Sequence, residues 1–208
     1  MLTPAPFYFI RHGETDWNKL KLMQGQTDTP LNATGIFQAE AAAEIISTRK
    51  IVTICTSPLR RARQTAELIS AKSSAPSIVT VAGLMEANFG SYEGHPSGPW
   101  RDEWLKGGEI PNGEDYEAFV ERSLQAINEC LQHPGPVLIV SHGGGCFTLC
   151  AAGLWPMRTS KPAIASYWPS RPHAKTATPR GISSVYFRQK PKILERLRQA
   201  KNSYNTLN

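Results

Sequence analysis

Short apolar runs, each ending in a polar loop with glycine, set the pattern of this chain. Phe7-Tyr8-Phe9-Ile10 is aromatic and branched and predicts a buried strand that stops at Arg11-His12-Gly13. From Thr34 to about Ser47, Ile36, Ala39, Ala43 and Ile46 recur near helical spacing among many alanines, which predicts a helix. Ile51-Val52-Thr53-Ile54-Cys55 is β-branched and predicts a second strand. Thr56-Ser57-Pro58 places a capping hydroxyl before a proline, so a helix is expected to start there and run to about Ala71. Residues 77–81 read as a third strand, and 114–131 as a long helix opened by Asn112-Gly113. Pro136-Val137-Leu138-Ile139-Val140 is the most apolar strand, ending at Ser141-His142-Gly143-Gly144-Gly145, with a helix expected over 146–154. Residues 156–181 are rich in proline and hold Lys161, Arg171, Lys175 and Arg180, so a loop or wrapping segment is expected. Ile182 to Phe187 reads as a strand, residues 192–198 as a strand or short helix, and the last residues should fray.

Strands alternating with helices predict an α/β fold: a three-layer sandwich whose central sheet is mostly parallel and flanked by helices. In such folds the loops after the strands gather functional groups at the carboxyl edge of the sheet. Arg11-His12, Ser57 and Ser141-His142 all fall at such an edge. At 208 residues the chain is expected to be one domain, with a motif-bearing core over 1–155 and a basic, proline-rich extension with a final strand over 156–208. That length buries a sizeable core without disulfides or metals.

Composition narrows the classes. Hydrophobic residues make up 40% and charged residues 19%, a balance that argues against wholesale disorder. No apolar run approaches the 18 or so residues of a spanning helix, so no membrane partner is expected. The first residues lack the basic region and the long apolar stretch of a signal peptide. Cys55, Cys130, Cys146 and Cys150 show no CxxC spacing and suit reduced thiols, so the cytoplasm is the expected compartment. The net charge of +6 is uneven: residues 1–155 hold 12 Lys+Arg against 16 Asp+Glu, whereas 156–208 hold 11 against one, Glu195. A nucleic-acid partner would have to bind that last quarter; its charges are spread and form no recognisable motif, so none is expected.

Four segments carry candidate chemistry. In Arg11-His12-Gly13-Glu14 a histidine follows a strand, the glycine allows a sharp turn, and the arginine can clamp an oxyanion. A lone histidine at a strand end is more often structural. Ser57-Pro58-Leu59-Arg60-Arg61-Ala62-Arg63 puts arginines in a helix's first turn, where the macrodipole disfavours cations. They make sense if they face a bound anion there; the competing view is a solvated basic face. The stretch from Leu84 to Gly94 offers carboxylates at Glu86 and Glu93, either of which could be a surface residue. Ser141-His142-Gly143-Gly144 adds a second imidazole and exposed backbone amides. A Ser-His-Asp triad is disfavoured here, because adjacent residues leaving a strand point to opposite faces. Metal binding by His95, Cys146 or Cys150 is the weaker alternative to core filling.

Taken in order, Arg11-His12-Gly13-Glu14-Thr15, Trp17-Asn18, Gln24-Gly25, Asp28, Pro30-Leu31-Asn32, Thr34-Gly35, Ser57-Pro58-Leu59 with Arg61-Ala62 and Gln64-Thr65, Glu86, Phe89-Gly90, Glu93-Gly94 and Ser141-His142-Gly143-Gly144 resemble the histidine phosphatase superfamily, the group that contains the cofactor-dependent phosphoglycerate mutases. The resemblance covers roughly residues 7–155 and implies a phosphoglycerate mutase-like fold. It implies that His12 is the nucleophile that accepts a phosphoryl group, that Arg11, Arg61 and His142 hold the phosphate oxygens, and that Glu86 protonates the leaving alcohol and later activates water. It implies that Asn18, Gln24 and Gly25 line the phosphate site and that no metal is needed; the exposed amide of Gly143 is expected to bind substrate beside them, and no cofactor is expected. Arg61 rather than Arg60 matches, because it directly precedes Ala62.

The expected activity is phosphomonoester hydrolysis on a small phosphorylated metabolite. Mutases of this superfamily carry a longer insertion with paired arginines after the Glu86 region; here residues 94–113 are short and offer only Arg101 and Lys106. Trp100 and Trp104, four apart, either stack on substrate or pack a lid onto the domain. The alternatives are a phosphoglycerate mutase, a phosphate-binding pseudo-phosphatase and a phosphohistidine carrier. The usual asparagine before the last strand is not evident at Gly181-Ile182-Ser183-Ser184, so no site residue is assigned there. A homodimer is left open.

Overall fold

A computed structural model describes residue 5, residues 7–73 and 77–145, and the backbone of residues 164–167. The elements run β1 (Phe7–Arg11), α1 (Asp16–Lys19), α2 (Ala33–Ser47), β2 (Thr53–Thr56), α3 (Arg60–Lys72), β3 (Ser77–Thr80), α4 (Trp100–Leu105), α5 (Tyr116–Cys130), β4 (Val137–Ser141) and β5 (Ile164–Tyr167). Short 3-10 turns occupy Ala82–Leu84 and Gly90–Tyr92. The sheet has the order β3-β2-β4-β1-β5. Its first four strands are parallel, and β5 runs antiparallel to β1.

Alternation along the strands builds two cores. Phe7, Phe9, Cys55, Val137 and Ile139 face one side, where Ala126, Ile127 and Cys130 of α5 cover them. Ile10, Ile54, Leu138 and Val140 face the other, under Ala42, Ala43 and Ile46 of α2 and Ala62, Ala66 and Ile69 of α3. This is the three-layer sandwich expected from the sequence. Leu138 and Ile139 are completely buried on opposite faces; truncating either to alanine should cost about 2–5 kcal/mol. A third cluster of Ala87, Phe89, Trp104, Ile110 and Phe119 lies beside the sheet.

Several boundaries depart from the pattern-based expectation. β2 begins at Thr53 rather than Ile51: its four residues are buried, while Val52 ahead of it is exposed. α3 starts at Arg60, two residues past Pro58, and no side chain of its own flank caps it. Its first N–H is instead satisfied from a distant loop, where Asp28 Oδ1 accepts from Arg60 N at 2.6 Å. The segment expected as a loop over 156–181 contains β5. Its Ile-Ala-Ser-Tyr run, bounded by Pro162 and Pro169 in sequence, completes the β1 edge. A helix begins at residues 143–145. The continuation expected over 146–154, the strand at 182–187, and residues 192–198 lie outside the described residues.

Candidate active site

Neighbouring parallel strands deliver the two histidines side by side. The β1–β4 register pairs Arg11 with Ser141, so residues 12 and 142 leave the sheet together. His12 N–H donates to Ser141 O at 2.9 Å and prolongs the ladder by one residue. The imidazole centroids are 5.2 Å apart. β2 lies next to β4 and delivers Ser57 to the same edge, with Ser57 N–H donating to Val140 O at 3.1 Å. Gly13 packs directly on Gly35 at the start of α2. A Cβ at position 13 would come 2.3 Å from Gly35 O, so only a glycine lets the loop sit there. Thr65 Oγ1 accepts from Gly13 N at 3.1 Å and fixes the turn from the α3 side.

The protonation pattern of His12 follows from its partners. Its Nδ1 is 2.7 Å from Gly13 O, and a carbonyl only accepts, so Nδ1 carries the hydrogen. Arg61 Nε donates to the other nitrogen, Nε2, at 3.3 Å, so Nε2 presents a lone pair. Burial, then the charges of Arg11 and Arg61, hold the ring well below the usual histidine range and keep it neutral.

His142 is completely buried. Its Nε2 lies 2.8 Å from Ser57 Oγ, and its Nδ1 is buried without a hydrogen-bond partner among the described residues. Burial first, then Arg61, His12, Arg11 and Arg122, push its pKa down as well. Ser141 Oγ points elsewhere and donates to Leu84 O at 2.9 Å, so Ser141 and His142 do diverge as the strand geometry requires.

Arg61 is a buried guanidinium held on three sides. Besides His12 it donates from Nη2 to Gly25 O at 2.7 Å and from Nη1 to Thr27 O at 2.9 Å. Burial lowers its pKa to about 10, against the pull of Glu86, Asp28 and Glu93, so it remains a cation at neutral pH. The loop that supplies those carbonyls is pinned by Glu93. Glu93 Oε1 accepts from Gln26 N at 2.8 Å and Phe89 N at 3.1 Å; Oε2 accepts from Thr27 N at 2.8 Å and from Thr27 Oγ1. Gly25 sits at φ +52°, and a Cβ there would meet Glu93 Oε1 at 1.9 Å.

Glu86 is half-buried against the start of the helix that follows β4. Its Oε2 accepts from Gly144 N at 3.0 Å, and its Oε1 from Ala87 N at 3.0 Å. The loop bearing Glu86 is clamped by Arg122 of α5, whose guanidinium reaches the carbonyls of Gly83, Met85 and Glu86 at 2.8, 3.1 and 3.3 Å. Glu114 pairs with Arg122 in a two-point ion pair at 2.8 and 2.7 Å. Arg11 is exposed beside Gly143, where a Cβ would lie 3.7 Å from Arg11 Cζ and 3.9 Å from Glu86 Oε2.

Thus His12, His142, Arg61, Arg11, Glu86 and Gly143 are brought to one edge of the sheet, and Gly25 joins them through its carbonyl. Asn18 and Gln24 serve their own loop. Asn18 Oδ1 accepts from Thr15 N in a capping box on α1. Gln24 Oε1 accepts from the hydroxyls of Thr15 and Thr29. Of the two tryptophans, Trp104 is buried with its indole N–H donated to Glu114 O at 2.7 Å, so it packs the lid onto the domain. Trp100 is half-buried and stacked on Tyr92, with centroids 4.4 Å apart. Sequence reasoning missed Ser57 as the partner of His142, Arg122 as the clamp on the Glu86 loop and Glu93 as the pin of the Arg61 loop. None of these pairings has a local spacing that would betray it. Among the described residues no group of three or more His, Cys, Asp or Glu could hold a metal, and no helix is long and apolar enough to cross a membrane.

A neutral histidine with an unprotonated ring nitrogen, two guanidinium groups, a buried imidazole and a carboxyl at one loop edge can accept and release a phosphoryl group. Comparisons with known proteins agree with that chemistry. The family model of the histidine phosphatase superfamily (branch 1) matches residues 7–162. A probable phosphoglycerate mutase GpmB of Yersinia enterocolitica is 37% identical over 163 residues, 72% of this chain and 75% of that protein. The solved structure of a mycobacterial glucosyl-3-phosphoglycerate phosphatase, in complex with VO3, is 31% identical with a TM-score of 0.63, covering 71% of this chain and 79% of the other. A putative alpha-ribazole-5'-P phosphatase from Escherichia coli K-12 is 28% identical with a TM-score of 0.64, covering 73% and 81%.

Proposed function

The chain belongs to the histidine phosphatase superfamily, and from that premise we propose that it hydrolyses phosphate monoesters through a covalent phosphohistidine on His12. The observation that carries this reading is the unprotonated Nε2 of a neutral His12, which accepts a hydrogen bond from Arg61 Nε at 3.3 Å. In the first step Nε2 attacks phosphorus and the ester P–O bond breaks. The Glu86 carboxyl gives its proton to the departing alkoxide. In the second step the Glu86 carboxylate takes a proton from water, the water oxygen attacks the phosphohistidine, and the P–N bond breaks to release inorganic phosphate. Arg11, Arg61 and His142 donate to the non-bridging oxygens, and each such donor contributes about 10²–10³ in rate where charge develops. Asn18, Gln24, Gly25 and Gly143 line the phosphate site beside these donors, and the Gly25 carbonyl holds Arg61 in place. The substrate is a small phosphorylated metabolite in the cytoplasm, and the reaction uses no metal or cofactor.

Phosphoglycerate mutation is the second reading, favoured by the names of the Yersinia and related sequences. Hydrolysis is preferred for the composition of the lid. Residues 94–113 hold no arginine pair for a second anionic group, Arg101 is exposed, and Lys106 pairs with Glu103 at 3.3 Å. The two are separated by incubating the protein with an aryl phosphate, and with 3-phosphoglycerate plus 2,3-bisphosphoglycerate, while following phosphate release and isomerisation together. Phosphate release should dominate; isomerisation faster than release would reverse the choice.

A further inference from the structure

We propose that Ser57 is a positioning residue that holds His142 in the tautomer bearing its hydrogen on Nδ1, so that the transferring phosphoryl group meets a donor there rather than a lone pair. This rests on the phosphoryl-transfer reading above. Ser57 is completely buried at the end of β2. Its hydroxyl has one hydrogen to give and lone pairs to accept with. Leu59 N donates to Ser57 Oγ at 3.3 Å, which uses the accepting side. The hydroxyl hydrogen then has one acceptor among the described residues, His142 Nε2 at 2.8 Å.

With Nε2 accepting, a neutral imidazole must carry its hydrogen on Nδ1. The opposite tautomer would make Ser57 Oγ a double acceptor, strand its hydroxyl hydrogen in a dry site, and leave a bare lone pair on Nδ1. Protonating both nitrogens is opposed by burial and by Arg61, His12, Arg11 and Arg122 around the ring. Nδ1 is also the buried side-chain atom that finds no partner among the described residues, on a ring 5.2 Å from that of His12. Phosphate oxygens only accept, so a donor held ready beside the nucleophile fits a phosphoryl group and a lone pair would repel it.

The test combines ring-nitrogen NMR of protein labelled with ¹⁵N-histidine and kinetics with an aryl phosphate, for wild type, Ser57→Ala and Ser57→Thr. His142→Gln assigns the signal. Wild type without ligand should show His142 with a protonated Nδ1 and a bare Nε2. Ser57→Ala should give a mixture of tautomers, with kcat and orthovanadate affinity each falling about tenfold or more, and Ser57→Thr should restore both. A wild-type His142 protonated on Nε2 would overturn the proposal, and so would Ser57→Ala with unchanged tautomer and unchanged kcat. A wild type with no turnover would instead strike the phosphatase reading, because the tautomer is measured without catalysis.

Discussion

The Nε of Arg61 donates to the Nε2 of His12 at 3.3 Å, while the terminal nitrogens of the same guanidinium are fixed by the carbonyls of Gly25 and Thr27. The cation that would stabilise the transferring group therefore also keeps the attacking nitrogen unprotonated, and its Nε–H gives up that lone pair when Nε2 meets phosphorus. A lysine carries its three donors on one nitrogen and cannot reach the positions that the three guanidinium nitrogens span. Arg61→Lys should lower kcat/KM on an aryl phosphate by about 10²–10³. A loss below about tenfold would show that the fork geometry is dispensable.

Stability should fall on acidification. His12 and His142 both have pKa values below the ordinary 6.5, chiefly through burial. Between those values and about 6.5 the unfolded chain binds more protons than the folded one, so the folded state gains as pH rises. Their contribution is fully present above about pH 6.5 and is lost below it, at most about 1.4 kcal/mol per pH unit for each ring. Thermal melts in phosphate-free buffer from about pH 8 to about pH 5 should show this decline, and His12→Gln should make it shallower. An unchanged slope in His12→Gln would contradict the assignment.

Arg122 should act through Glu86. It binds the Glu86 carbonyl and two others on that loop, and Glu114 holds it there. If the loop loosens, protonation of the leaving oxygen suffers most where that oxygen is a poor leaving group. Arg122→Ala should cost about tenfold or more on an alkyl phosphate and much less on a nitrophenyl phosphate. Equal losses on both substrates would assign Arg122 to general stability.

Gly25 should tolerate no side chain. Its φ of +52° and the 1.9 Å approach of a Cβ to Glu93 Oε1 leave an alanine no room. Gly25→Ala should destabilise the fold by about 1–3 kcal/mol and weaken orthovanadate binding, since the loop that holds Arg61 must move. Denaturant melts and vanadate titration would measure both; unchanged values would separate this loop from the site.

The sequence announced the sheet and the two histidines for one reason. The runs Phe7–Ile10 and Val137–Val140 are long enough to need burial, and each breaks off at once into His12 or His142. Arg61 was legible because a cation in a helix's first turn needs an anion to explain it. Contacts between distant loops left no such trace. Ser57 and His142 are 85 residues apart, and the pin from Glu93 to Thr27 spans 66. Ser57 reads as a helix cap from its place before Pro58, but Asp28 supplies the α3 end from another loop and the Ser57 hydroxyl turns to His142. β5 was hidden by the prolines around Ile164–Tyr167, which made a four-residue edge strand read as loop.

The central claim is a phosphoryl group carried on His12. Rapid quench of enzyme with ³²P-labelled aryl phosphate, followed by peptide mapping, tests it directly. The expected result is an acid-labile, base-stable label on the Nε2 of His12, formed and lost fast enough to account for turnover, and absent in an inactive His12→Ala. Full turnover in His12→Ala, or steady hydrolysis with no label on that ring, would contradict it.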